Sequence, residues 1–175
     1  MTLAIGSKAP DFSLPDTAGD LHGPGGGAAT VVVFTCNHCP YALAWHERIA
    51  DVARDYAPRG VVVLAICSND ARRYPRDSYA AMQERVARDP GDWPMPYLHD
   101  ATQEVARAYG AKTTPDVFVL DADGVLVYRG APDADSDDPA QRADWLRAAL
   151  EDLLADRPVA RATTDPVGCS IKWAA

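Results

Sequence analysis

Short, continuously apolar runs alternate along the chain with longer stretches in which apolar residues recur every three or four positions. Thr30-Val31-Val32-Val33-Phe34-Thr35 is β-branched and apolar on both faces, the pattern of a strand buried in the middle of a sheet. Between Cys39 and Ala57, the residues Ala42, Leu43, Ile49, Ala50 and Ala53 fall at helical spacing, and Pro58-Arg59-Gly60 stops the pattern. Val61 to Ile66 is a second apolar strand, so strand, helix, strand predicts a right-handed parallel crossover.

Further on, Tyr79, Met82 and Val86 mark a second helix, Asp89-Pro90-Gly91 breaks it, and Met95 to Leu98 reads as a short extended piece. A helix over Ala101 to Tyr109 ends at Gly110. Val117 to Leu120 and Val125 to Tyr128 flank Asp121-Ala122-Asp123-Gly124, a hairpin signal, and a last helix is predicted from Pro139 to Ala155. The order is βαβ, extra helices, then ββα, an α/β arrangement. Gly23 to Gly27 reads as a turn rather than a linker, and the four acids of Asp133 to Asp138 read as a solvated surface loop, because their spacing matches no calcium loop.

At 175 residues and 47% hydrophobic content the chain supports one core, so residues 1–175 are expected to form a single domain with 156–175 as a C-terminal tail. A formal charge of −8 repels phosphate backbones, which argues against nucleic acid as a partner. No segment approaches the roughly 18 apolar residues of a membrane span, and the N-terminus has no basic region followed by an apolar stretch. A cytoplasmic protein with no membrane association is expected, and there the four cysteines are catalytic, metal-binding or inert rather than permanently bridged.

Cys36-Asn37-His38-Cys39 places two thiols two residues apart at a strand-to-helix junction, a separation that lets a disulfide open and close with little backbone movement. Helix N-terminal N–H groups favour a thiolate there. Cys36, at the exposed lip, is the expected nucleophile, and Cys39, one turn further in, the resolving thiol. His38 either stabilises the Cys36 thiolate as an imidazolium or points to solvent. Half a zinc site has the same spacing, but no second CxxC exists and His22, His46 and His99 are scattered, so neither a metal nor another cofactor is expected.

Thr113-Thr114-Pro115 opens the hairpin strand. A CxxC after the first central strand with Thr-Pro before the next antiparallel one resembles thioredoxin and its relatives, which implies a thioredoxin-like fold: a central mixed sheet flanked by helices. The same resemblance implies that Pro115 is cis, faces the disulfide and docks substrate through the backbone of Thr114. Gly6 to Leu14 with Asp16 to Gly19 resembles the N-terminal hairpin of peroxiredoxins and cytochrome-maturation reductases. Together with Phe34 to Tyr41, Ser68-Asn69-Asp70, Thr114-Pro115-Asp116 and Gly168 to Trp173, the chain is similar to bacterial peroxiredoxin-like redoxin-domain proteins, with a helical insertion between the two halves.

True peroxiredoxins resemble this chain with their peroxidatic cysteine at Cys39, but carry Thr or Ser where Cys36 stands and Pro where Val32 stands. The hydroxyl that would polarise peroxide is absent. Thioredoxin's buried strand carboxylate is also missing, leaving Asp70 and Glu47 as candidate proton acceptors. Cys67, at the end of an apolar strand, and Cys169, in the tail, are possible auxiliary thiols or packing residues. The expected activity is thiol–disulfide exchange on protein or small-molecule disulfides, with an unknown electron donor. A thiol-dependent peroxidase and a copper-binding chaperone using Cys36, Cys39 and His38 are the alternatives.

Overall fold

The computed structural model describes residues 2–175. Its centre is β3 (Ala29–Thr35), in which all seven residues are buried. Two short strands precede it, β1 (Leu14–Pro15) and β2 (Leu21–His22), paired as the N-terminal hairpin. β3 runs parallel to β4 (Val61–Cys67) through α1 (Pro40–Tyr56), and β4 parallel to β5 (Tyr97–His99) through α2 (Tyr79–Arg88). After α3 (Glu104–Tyr109) and β6 (Thr113–Thr114), the strand β7 (Asp116–Asp121) returns antiparallel on the other side of β3, followed by β8 (Leu126–Gly130). The sheet order is β5-β4-β3-β7-β8.

Because β3 is covered on both faces, its alternate side chains seed two cores. Val31 and Val33 face α1 and α4 (Asp144–Leu154), meeting Trp45, Ile49, Val52, Leu146 and Leu150. Val32 and Phe34 face the opposite layer, where Phe34, Tyr109 and Phe118 pack edge to face with ring centroids 5.4 to 5.8 Å apart. The tail pairs through β9 (Cys169–Ser170), antiparallel to β6. Among the described residues no helix is long and apolar enough to cross a membrane.

Three boundaries differ from the periodicity. Cys39 is the N-cap of α1 rather than its first residue, since Pro40, which needs no amide partner, takes the first helical position. The α3 segment is shorter than expected at its start, where Gln103 and Asp100 close a turn. The largest shift is in α4, which begins at Asp144, not Pro139. Asp133 is responsible: its carboxylate accepts the Ala143 N–H at 2.9 Å and holds residues 139–143 in a turn.

Asp133 also corrects the expectation of a solvated acidic loop. It is buried, accepts the Trp45 Nε1–H at 2.8 Å and pairs with Arg48 at 2.9 Å, while the neighbouring acids Asp135 and Asp137 are exposed. The carboxylate ties α1 to the start of α4. Removing it leaves the buried Trp45 indole N–H without its acceptor, while the half-buried Arg48 keeps its backbone carbonyl partners, so Asp133→Ala should lower stability by about 1–3 kcal/mol. Urea unfolding checks this, with Asp137→Ala, whose side chain is exposed, expected to stay within about 0.5 kcal/mol of wild type.

Candidate active site

The parallel strands β3, β4 and β5 end on one edge, and the Cys36–Cys39 loop lies there. Thr114, at the end of β6 and joined to Pro115 by a cis peptide bond, faces it. Cys36 Sγ lies 3.4 Å from the Thr114 hydroxyl and accepts the Cys39 N–H at 3.4 Å, while the Cys39 thiol donates to the Thr114 carbonyl at 3.1 Å. One residue therefore receives both sulfurs. The expectation that Cys36 sits at an exposed lip is overturned: Cys36 and Cys39 are both 0% exposed, and β9 closes the outer side of the Thr114 strand that contacts them.

The two thiols titrate as a pair. The S–H of one stabilises the thiolate of the other, so the first proton leaves below the ordinary cysteine range, and burial then holds the second far above it. Two sets of contacts compete for the single charge. On Cys39 it meets the Ala42 N–H and the Cys169 thiol, but also the Thr114 carbonyl oxygen, which repels an anion and accepts from a thiol. On Cys36 it meets an N–H and a hydroxyl, both donors. The carbonyl decides in favour of a proton on Cys39 and the charge on Cys36.

His38 does not point freely to solvent. Its Nδ1 lies 2.6 Å from the Asp77 carboxylate and its ring stacks on Tyr74 at 5.7 Å. Asp77, in the turn before α2, is fully buried and was not among the carboxylates singled out by the sequence. It accepts the Asn37 N–H at 2.7 Å and the Asn69 side-chain amide at 2.9 Å. Its charge opposes an anion on Cys36, beyond the larger effects of Cys39 and burial. Of the carboxylates expected to serve as proton acceptors, Glu47 is exposed on α1, and Asp70 caps the following turn through the Arg72 N–H.

The helical insertion positions the loop. Arg85 of α2 donates to the Cys36 carbonyl at 3.1 Å and to Asn37 Oδ1 at 2.9 Å, and the Tyr97 hydroxyl of β5 donates to the same oxygen at 2.8 Å. An open groove of about 670 Å³ beside the motif is lined by Asn37, His38, Arg76, Arg85 and Arg88 but by neither sulfur. Cys36 Sγ, His38 Nδ1 and an Asp77 oxygen lie within 4.8 Å of one another, the only three-residue cluster of metal-ligand type among the described residues. Both Asp77 oxygens are already engaged by protein donors.

The auxiliary thiols separate clearly. Cys67 ends β4 in the core, fully buried, and burial pushes its thiol up to about 12, so it stays protonated. Cys169 is partly exposed, and its register partner in β6 is Thr114.

A mixed sheet carrying a strand-end pair of thiols opposite the Thr114-Pro115 turn is a thioredoxin-like fold. The chain belongs to the AhpC/TSA family, whose profile matches residues 5–129. No curated protein matches it. An uncharacterized conserved protein of Geobacillus kaustophilus shares 40% identity over 99% of this chain and 94% of its own, with a TM-score of 0.92. Two likenesses show the fold alone. Peroxidoxin BcpB of Mycobacterium tuberculosis has 20% identity and a TM-score of 0.61, over 87% of this chain and 95% of its own. A secreted disulfide oxidoreductase of the same organism, homologous to E. coli DsbE, has 19% identity and a TM-score of 0.58, over 80% and 94%.

Asp77 and His38 should set the potential of the dithiol in opposite directions. Asp77→Asn removes a charge that disfavours the Cys36 thiolate, which stabilises the reduced state and raises the potential. His38→Ala removes the imidazole that lies against that carboxylate, which strengthens its opposition to the thiolate and lowers the potential. Glutathione titration of both variants should show shifts of opposite sign, each above about 10 mV, which corresponds to about 0.5 kcal/mol for a two-electron couple. Shifts of the same sign would contradict this electrostatic arrangement.

Proposed function

We propose that this protein is a thiol–disulfide oxidoreductase in which Cys36 and Cys39 cycle between dithiol and disulfide, acting on protein or small-molecule disulfides. The observation that carries the reading is the convergence of both sulfurs on Thr114, with donors on Cys36 and an acceptor on Cys39. That arrangement suits Cys36 to attack and Cys39 to follow. In the first step the Cys36 thiolate attacks a substrate disulfide, forms a mixed disulfide and releases one substrate thiolate. Cys39 then loses its proton, attacks Cys36 Sγ and releases the second substrate thiol, leaving a Cys36–Cys39 disulfide. Two electrons pass to the substrate, and an external dithiol restores the enzyme.

The opposite flux uses the same steps in reverse. Membership of a family of thiol-based redox proteins supports the reaction class. A direct peroxidase is less well served, because the residue three before Cys39 is a second thiol rather than a hydroxyl.

Peptide mapping of the oxidised protein should find Cys36 bridged to Cys39, and a map with Cys36 bridged to Cys169 and Cys39 free would contradict the role assignment. With insulin or glutathione disulfide as substrate, Cys36→Ser should abolish turnover, a loss of at least about 100-fold, consistent with removal of a covalent nucleophile. Cys39→Ser should instead accumulate the mixed disulfide, visible by intact mass. Equal residual activity in the two variants, or peroxide consumption by a protein that turns over no disulfide, would sink the proposal.

A further inference from the structure

The Cys36 and Cys39 sulfurs are screened from solvent in this structure, so an external disulfide or thiol reaches Cys36 only after local opening of the site. Both sulfurs are 0% exposed, and the large groove beside the motif reaches Asn37 and His38 without touching either. Among the four cysteines, all of them described, only Cys169 is not fully buried. It lies on the covering strand itself. In β9 its register partner is Thr114, the residue that receives both buried sulfurs, and its side chain packs against the core cluster containing Cys36 and Cys39. Cys39 is its neighbour there, and burial together with that neighbour raises the Cys169 thiol to about 11.

The covering strand is held on both sides. The Ile171 N–H donates to the Lys112 carbonyl at 3.1 Å, the Lys172 N–H to Asn69 Oδ1 at 2.9 Å, and the Asp70 N–H to the Lys172 carbonyl at 2.8 Å. Asn69 thus ties the tail to Asp77, since its amide also donates to that carboxylate. Gly168 passes so near β6 that a Cβ there would lie 2.2 Å from the Thr114 carbonyl oxygen, the oxygen that accepts from Cys39. A side chain at 168 would lift the strand away, whereas glycine lets Cys169 come down onto the dithiol.

We propose that Cys169 is a third redox-active thiol, which exchanges with the Cys36–Cys39 disulfide at Cys39 and carries it to the surface. This deepens the oxidoreductase reading and rests on it. In the oxidised protein the Cys169 thiolate attacks Cys39 Sγ. The Cys39–Cys169 bond forms, the Cys36–Cys39 bond breaks, and Cys36 leaves as a thiolate received by the Cys39 N–H and the Thr114 hydroxyl. The step is an isomerisation: one disulfide replaces another and no electrons are gained or lost. An external dithiol then attacks the partly exposed Cys169 Sγ and expels Cys39. Its second thiol resolves the resulting mixed disulfide, releasing Cys169. The dithiol becomes a disulfide, and its two electrons leave Cys36 and Cys39 reduced.

Two variants test this on the full chain. In Cys36→Ser treated with oxidised glutathione, peptide mapping should find a Cys39–Cys169 disulfide. In Cys169→Ser the Cys36–Cys39 disulfide should still form, but its reduction by glutathione should slow at least tenfold with an unchanged equilibrium potential, a kinetic signature that a packing role would not produce. Either of two results overturns the proposal: Cys39 glutathionylated with Cys169 free in the first variant, or reduction within twofold of wild type in the second. Failure of the underlying reading is distinguishable, because the wild-type map would then lack the Cys36–Cys39 disulfide.

Discussion

The arrangement of the site depends on how Thr114 meets the two sulfurs. Its carbonyl accepts from the Cys39 thiol and its hydroxyl lies against Cys36, so a single residue fixes which sulfur keeps the proton. Thr114 is held there from three directions: the cis bond to Pro115 turns the chain into β7, the antiparallel pairing with β9 closes the outer side, and β7 is registered on β3, the strand that delivers Cys36. Moving any of these elements separates the donors and acceptors that make the two thiols unequal.

Around this contact the electrostatics are arranged in layers. The protein is strongly acidic overall, and a buried carboxylate, Asp77, stands close enough to Cys36 to oppose its charge. That cost is offset by His38 on one side and by N–H donors from Asn37 and Asn69 on the other. Asn69 extends the network to the tail through Lys172, so the electrostatics of the motif and the seating of its covering strand share one side chain. The insertion bearing α2 contributes in a different way, with Arg85 gripping the Cys36 carbonyl and Asn37 and so fixing the loop between β3 and α1.

Much of the fold was legible because its central strands are continuous apolar runs that only burial on both faces explains, and because the Asp-Ala-Asp-Gly turn fixes the hairpin register. The pairing of Cys36-Asn37-His38-Cys39 with Thr114-Pro115 was legible as a motif resemblance. The burial of Cys36 was not, since the strand that closes the outer side of Thr114 comes from the far end of the chain by pairing, not by any local pattern. Asp77 was hidden for the same reason: in Pro75-Arg76-Asp77-Ser78 it has the local context of a surface turn, and only the docking of α2 puts it under the motif. Ser68-Asn69-Asp70 and Gly168 to Trp173 were legible as parts of the family resemblance, and Asn69 joins the tail to Asp77. Asp133 was misread because four clustered acids look solvated when only one of them turns inward to Trp45 and Arg48.

The central claim is that Cys36 and Cys39 share one readily lost proton while Cys67 and Cys169 hold theirs. Thiolate absorbance near 240 nm, followed against pH in the fully reduced wild-type protein, tests it directly. Up to about pH 9 the account expects one thiolate equivalent per chain, appearing well below the ordinary cysteine value of about 8.5 and lost in Cys36→Ser. Two or more equivalents titrating together near 8.5, or none below it, would contradict it.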